Sequence, residues 1–258
     1  MDYLRTILGQ FCTILNFLSI MNHAVHWCKK FNFHFSWCKH ALTTSDLQKV
    51  LLDLAHSQSH DDFLFRTMLL TGFFALMRLG ELSFPNDISL RNWKKVTKWS
   101  TVTVSPDQYA FHLPFHKADP FFEGNHVIIK SLQYCDINPL SAFNTYLESR
   151  DQKFPLLSPL WLTSKGAVPT RQFFITRLRC YFDKDVAGQS MRAGGATSLA
   201  ENGVPPSLIQ FIGHWTSDAF FIYTSLRRMP PLYKATSILK TYYVLRAFSV
   251  CHIGILDT

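Results

Sequence analysis

Apolar residues recur at helical spacing once the chain reaches Leu42. In LTTSDLQKVLLDL, Leu47, Val50, Leu51 and Leu54 share one face, and Thr43 and Asp46 stand at capping-box spacing, with Asp replacing the usual Glu. That spacing predicts a first helix. DDFLFRTMLLTGFFALMRLGEL is apolar on nearly all sides, which predicts a second, more deeply buried helix starting near Asp61 or Asp62 and carrying Arg78 at its end. The period then changes to two. Val102 and Val104 alternate, as do Tyr109, Phe111 and Leu113, around a turn at Ser105-Pro106-Asp107, and HVIIK at 126–130 supplies a further strand. Helical patterns return after Asn138 in PLSAFNTYLES, TRQFFITRLRCYF, SMRAGGATSLAENG and PPSLIQFIG, and a last short helix is expected over 217–225. Helices, a small antiparallel sheet and more helices make an α+β, mainly helical domain.

Composition narrows the class. Of 258 residues, 47% are hydrophobic and 17% charged, enough for a large core and too apolar for global disorder. The net charge of +8 favours an anionic partner such as nucleic acid or an acidic membrane surface. Cys12, Cys28, Cys38, Cys135, Cys180 and Cys251 form no CxxC pairs, which suits reduced thiols in an intracellular protein. His23, His26, Cys28, Cys38 and His40 cluster loosely but match no zinc-ligand frame. The opening run YLRTILGQFCTILNFLSIM is broken by Arg5, Gln10, Asn16 and Ser19, too often for a membrane span, and no clear cleavage site follows it. Three segments are therefore expected: an irregular 1–41, an orderly domain over 42–240, and an apolar tail over 241–258.

Several residues fit poorly in a core. Arg78 follows two apolar turns, and a buried guanidinium needs an acid or an anionic ligand; Glu81, three residues on, could supply the acid. Arg192 stands near the start of a helical pattern interrupted by Gly194 and Gly195. Each interior glycine costs a helix about 1 kcal/mol, which suggests that a backbone or a ligand approaches closely there. An arginine at a helix start also sits where peptide N–H groups favour an anion. Lys117, in FHKADPF, lies in the loop after a strand, where a lysine ordinarily serves solubility. His214 and Tyr223 close the set in GHWTSDAFFIY, and Tyr223 alone could equally be a core aromatic. SLAENGVPPSLIQFIGHW also has the outline of a helix-turn-helix, a weak motif whose Pro205 and Pro206 equally suit a helix start.

In order, TGFFALMRLGEL, the lysine of FHKADPF, SMRAGGATSLAENG and IGHWTSDAFFIY resemble the tyrosine recombinases, or phage-type integrases. RAGGAT with GHW looks most like the recombinases of Crypton-type eukaryotic mobile elements. The resemblance spans about Leu42 to Lys240 and implies the catalytic domain of that family, acting on double-stranded DNA, with copies assembling on the DNA, no cofactor and no membrane, inside the cell and in the nucleus. It further implies that Tyr223 attacks the scissile phosphate, Arg78 and Arg192 clamp its nonbridging oxygens, His214 adds a donor, and Lys117 protonates the leaving oxygen. Lys94, Lys95, Lys98 and Arg171 are candidates for the DNA backbone, with Arg91, Arg177 and Arg179 beside them.

The chain departs from the family in two places. The usual His-x-x-Arg reads Gln189-x-x-Arg192, and glutamine cannot shuttle a proton. Proton transfer is worth about 10²–10⁴ in rate, roughly 3–5 kcal/mol of barrier. The 41 residues ahead of the domain are also too few for the family's usual core-binding domain. A DNA-binding remnant that no longer cleaves, or a helix-turn-helix module, is the alternative reading; a membrane-associated protein using both apolar ends is a third.

Overall fold

A computed structural model describes residues 39–114, 124–132 and 137–215, and the backbone of Val244–Leu245. All of these lie within the unit Lys39–Thr258. Helix α1 (Thr44–Asp53) starts where its capping signal predicts: Thr43 Oγ1 accepts the Asp46 N–H at 3.1 Å, and the Asp46 carboxylate accepts the Thr43 N–H at 2.8 Å. Leu47 and Val50 are its buried residues. Helix α2 (His60–Phe74) is apolar all round because it is the hub of the core, packed by α1, by α4 (Pro139–Lys153) and by α6 (Ser190–Glu201).

The single helix expected through Leu82 is interrupted. After Phe74 the chain turns at Leu76, which takes a left-handed φ of 50°, and restarts as α3 (Leu79–Leu82). Leu76 N–H donates to Phe73 O, and Met77 N–H to Gly72 O at 3.0 Å. This is the two-bond Schellman ending, with leucine where glycine is usual. The left-handed conformation costs an L-residue about 1–2 kcal/mol, and complete burial of the leucine side chain, worth about 1.5–3 kcal/mol, offsets it.

The sheet follows its alternation. Strands β1 (Thr103–Ser105) and β2 (Gln108–Leu113) join through Pro106-Asp107, and β3 (Asn125–Lys130) pairs antiparallel with β2, Tyr109 opposite Ile129 and Phe111 opposite Val127. The backbone of β4 (Val244–Leu245) adds antiparallel to the far edge of β3. Tyr109, Phe111, Leu113, Val127 and Ile129 are all buried, and Tyr109 stacks on Phe143 of α4 with ring centroids 4.0 Å apart. Between α3 and β1, where neither period was visible, lie three 3-10 turns: Ile88–Leu90, Trp93–Lys95 and Trp99–Thr101. Helices α5 (Arg171–Leu178), α6 and α7 (Pro206–Gly213) complete the described part, while the helix expected over 217–225 lies outside it. Among the described residues, no helix is long and apolar enough to cross a membrane.

Candidate functional site

The glycine pair in α6 explains how Arg192 is placed. A Cβ at Gly195 would collide with the Phe73 carbonyl oxygen, and one at Gly194 with that of Leu42. The approaching groups are backbone, so α6 lies directly on the C-terminal end of α2. The helix continues to Glu201, so the pair does not end it. Arg192, one turn earlier, is then carried to the Leu76 turn: its Nη1 donates to Leu76 O at 3.0 Å and its Nη2 donates to Gly213 O.

Gly213 ends α7, and its carbonyl belongs to a second Schellman turn. His214, with φ 52°, is the left-handed residue; His214 N–H donates to Phe211 O and Trp215 N–H to Gln210 O, both at 3.1 Å. A Cβ at Gly213 would overlap the Trp215 indole, so glycine is what lets that ring fold back. The guanidinium carbon of Arg192 lies 4.0 Å from the centre of the ring. A residue only 6% exposed is thus held by the carbonyl ends of two helices and an aromatic face. Both helix ends carry partial negative charge, and the ring face is negative as well, so all three favour the cation. Together they fix the plane of the guanidinium.

Among the described residues, Arg78, Gln189 and His214 of the set singled out in the sequence stand around this joint. Arg78 lies two residues beyond Leu76, at the start of α3; its side chain is one-third exposed and its Nη1 is 3.2 Å from Glu81 Oε1. Glu81 Oε2 also accepts the Arg78 backbone N–H at 2.8 Å, so the acid anticipated from the spacing holds the arginine at both ends. Gln189 caps α6 and is exposed, and the preceding Gly188 packs on Leu79, next to Arg78. His214 follows the carbonyl that Arg192 binds. Lys117 and Tyr223 lie outside the described residues.

The outer cations divide into two groups. Lys94, Lys95, Lys98 and Arg171 are exposed. Arg91, Arg177 and Arg179 make contacts within the fold. Arg91 donates to the carbonyls of Pro85 and Asn86; Arg177 pairs with Asp61 at 3.4 Å and Asp62 at 3.7 Å over the Phe173 ring; Arg179 donates to the carbonyls of Asp183 and Val186. These contacts fix how the three arginines sit in the fold. Sequence reasoning also passed over Arg150, which is fully buried, pairs with the adjacent Asp151 and ties down the 157–159 loop through the Leu157 and Pro159 carbonyls. It missed Leu76 and Trp215 too, although the tryptophan directly after Gly213-His214 was the available signal. Among the described residues, no three His, Cys, Asp or Glu side chains are grouped to hold a metal ion. Of the loose His/Cys cluster only His40 is described, and its backbone N–H donates to Asp185 O.

Neither a protein-family model nor a curated protein matches the sequence. Solved structures match in fold. One is the XerA recombinase, with TM-score 0.54 and 16% identity, covering 82% of this chain and 70% of that one. Another is the XerH site-specific recombinase bound to palindromic difH substrate in a post-cleavage complex, with TM-score 0.53 and 16% identity over 74% of this chain and 50% of that one. The pre-cleavage XerH complex on difH gives 0.52 and 16%, covering 72% and 51%. The chain thus spans about half the length of the XerH structures. Its helices and small antiparallel sheet make the fold of the tyrosine-recombinase catalytic domain.

Proposed function

We propose that this chain binds duplex DNA and breaks and rejoins it through a 3′-phosphotyrosyl intermediate. The observation that carries this reading is the joint around Arg192. A buried cation with a fixed plane ties together the segments bearing Arg78, Gln189 and His214, in a fold shared with site-specific recombinases. Preorganised donors are what a phosphorane with growing negative charge requires. Tyr223 Oη forms a bond to the scissile phosphorus as the bond to the 5′ oxygen breaks. The phenolic proton leaves to solvent, and Lys117 gives a proton to the departing oxygen. Arg78, Arg192 and His214 stabilise the nonbridging oxygens. Attack of a 5′-hydroxyl on the phosphotyrosine reverses the step, so neither a metal nor ATP is required. Lys94, Lys95, Lys98 and Arg171 neutralise backbone phosphates. The setting is recombination or integration of a Crypton-like mobile element in the nucleus, with several copies on the DNA.

Gln189 favours a second reading, a DNA-binding remnant that does not cleave, because an exposed amide stands where a proton acceptor is usual. The helix-turn-helix alternative gains less support. The recognition position would fall to α7, which exposes Ser207, Leu208 and Phe211 with Gln210 half-buried, and so offers few groups that read base edges by hydrogen bonding. A nicked suicide duplex resolved on a denaturing gel separates the readings. A covalent protein–DNA species lost in Tyr223→Phe supports the enzyme. Retardation without an adduct supports the remnant, and the absence of both overturns DNA as partner.

A further inference from the structure

A concavity of about 550 Å³ lies on the 3-10 segment ahead of the sheet, lined by Trp93, Lys94, Lys98, Thr101, His112 and Pro114. Among the described residues, two lysines line it and no carboxylate does. Its frame is rigid. Leu160 N–H donates to Thr97 O at 2.9 Å, and Trp99 N–H to Ser158 O at 2.8 Å. The Thr101 hydroxyl donates to Lys98 O at 2.8 Å and accepts the His112 N–H at 3.2 Å, fastening the turn to β2. Trp93 is 66% exposed, yet its ring is mounted: Phe84 meets it at a right angle with centroids 5.1 Å apart. The same Phe84 accepts the Arg171 backbone N–H at 2.8 Å, so an exposed arginine starts beside this platform.

Resting on the DNA-binding reading above, we infer that this groove receives one unstacked base of DNA on Trp93, with Lys94 and Lys98 holding the flanking phosphates. Duplex phosphates alone need cations and no indole, and a base inside an intact stack cannot reach one. A mounted, exposed indole in a groove lined by two lysines suits a base displaced from the helix, as at a bulge, gap or frayed end. Strand exchange necessarily unpairs bases near the cut, so such a subsite would hold one while strands change partners.

The test compares fluorescence-anisotropy titrations of a labelled duplex and of the same duplex carrying one unpaired thymine. The unpaired base is expected to bind about 5-fold tighter or better, the weakest effect that aromatic stacking produces. Trp93→Ala is expected to abolish that preference while leaving the affinity for perfect duplex within about two-fold, and Trp93→Phe to retain part of it. Lys94→Ala and Lys98→Ala should weaken both DNAs alike and each lower the log–log salt slope by about 0.9. Equal binding of the two DNAs by the wild type, or an equal loss on both in Trp93→Ala, overturns the subsite and leaves DNA binding standing. A wild-type chain that binds neither DNA overturns the DNA reading, and the subsite with it.

Discussion

Replacing Arg192 by alanine should damage the fold before it reveals anything about chemistry. The substitution strands the carbonyls of Leu76 and Gly213 at the ends of two helices and removes the cation from the face of Trp215. A buried acceptor left without its partner costs about 1–3 kcal/mol, and a desolvated cation–π contact is worth about 2 kcal/mol. Two acceptors and one such contact sum to about 4–8 kcal/mol. The lower part of that range overlaps the about 3–5 kcal/mol typical of breaking a buried charged arrangement from one side, which sets the expected loss. For domains of this size each kcal/mol moves the melting temperature by about 2–4 °C, so a fall of about 6–20 °C is expected. Arg78 makes the contrast. Its side chain is one-third exposed and its ion pair with Glu81 is of the i,i+3 kind, so Arg78→Ala should cost under about 1 kcal/mol, or less than about 4 °C. Thermal unfolding followed by circular dichroism measures both, and Arg192→Lys should fall between them because one ammonium cannot span both carbonyls in a plane. Equal, small shifts for the two alanine variants would refute the account of Arg192 as the tie between α2, α6 and α7. If the difference appears, cleavage by Arg192 variants has to be measured well below their melting points.

Gly213→Ala should drive the Trp215 ring off the guanidinium, since the new Cβ falls within the indole; the Trp215 indole N–H resonance should shift and stability drop by about 0.5–2 kcal/mol, and an unmoved resonance would contradict the packing. His60, buried at the start of α2, hydrogen-bonds Ser149 and the Leu162 carbonyl, and burial holds its pKa below the usual 6.5. The unfolded chain therefore binds the proton more readily: the stabilisation is complete above pH 6.5 and is lost as pH falls from there toward the lowered folded value. Denaturant unfolding between pH 7.5 and 5 should show a shallower decline in His60→Gln than in wild type, with His112, also held low by burial, supplying part of the remainder. Gln189→His should raise the rate of adduct formation by about a hundred-fold or more where proton transfer limits cleavage; an unchanged rate places the limit elsewhere.

What was legible in the sequence was mostly local. Thr43 and Asp46 announced α1 because a capping box needs only three positions, and alternation announced the strands because each buries one face. The break after Phe74 was hidden: a leucine in a glycine position carries no signal, and the groups that make it tolerable come from elsewhere in the fold. Arg192 lies 116 positions from Leu76 and 21 from Gly213, so its burial could not be read from its neighbours. The two glycines after it did carry information, since their helical cost pointed to a close approach, and the approaching group is the backbone of Phe73 and Leu42. The outer cations divided for similar reasons. Arg177 looks like Arg171 in sequence, but Asp61 and Asp62 meet it from the start of α2. The Trp93 groove was invisible because 3-10 turns have neither of the two periods that reveal helices and strands.

The identity of the attacking group tests the central claim most directly. After reaction with a suicide duplex, nuclease and protease digestion followed by mass spectrometry locates the nucleotide on the chain. The account predicts a phosphonucleotide on Tyr223, formed by wild type and absent in Tyr223→Phe. A nucleotide on Tyr233, Tyr242 or Tyr243 instead, or unmodified peptides from a protein that demonstrably binds the duplex, would contradict it.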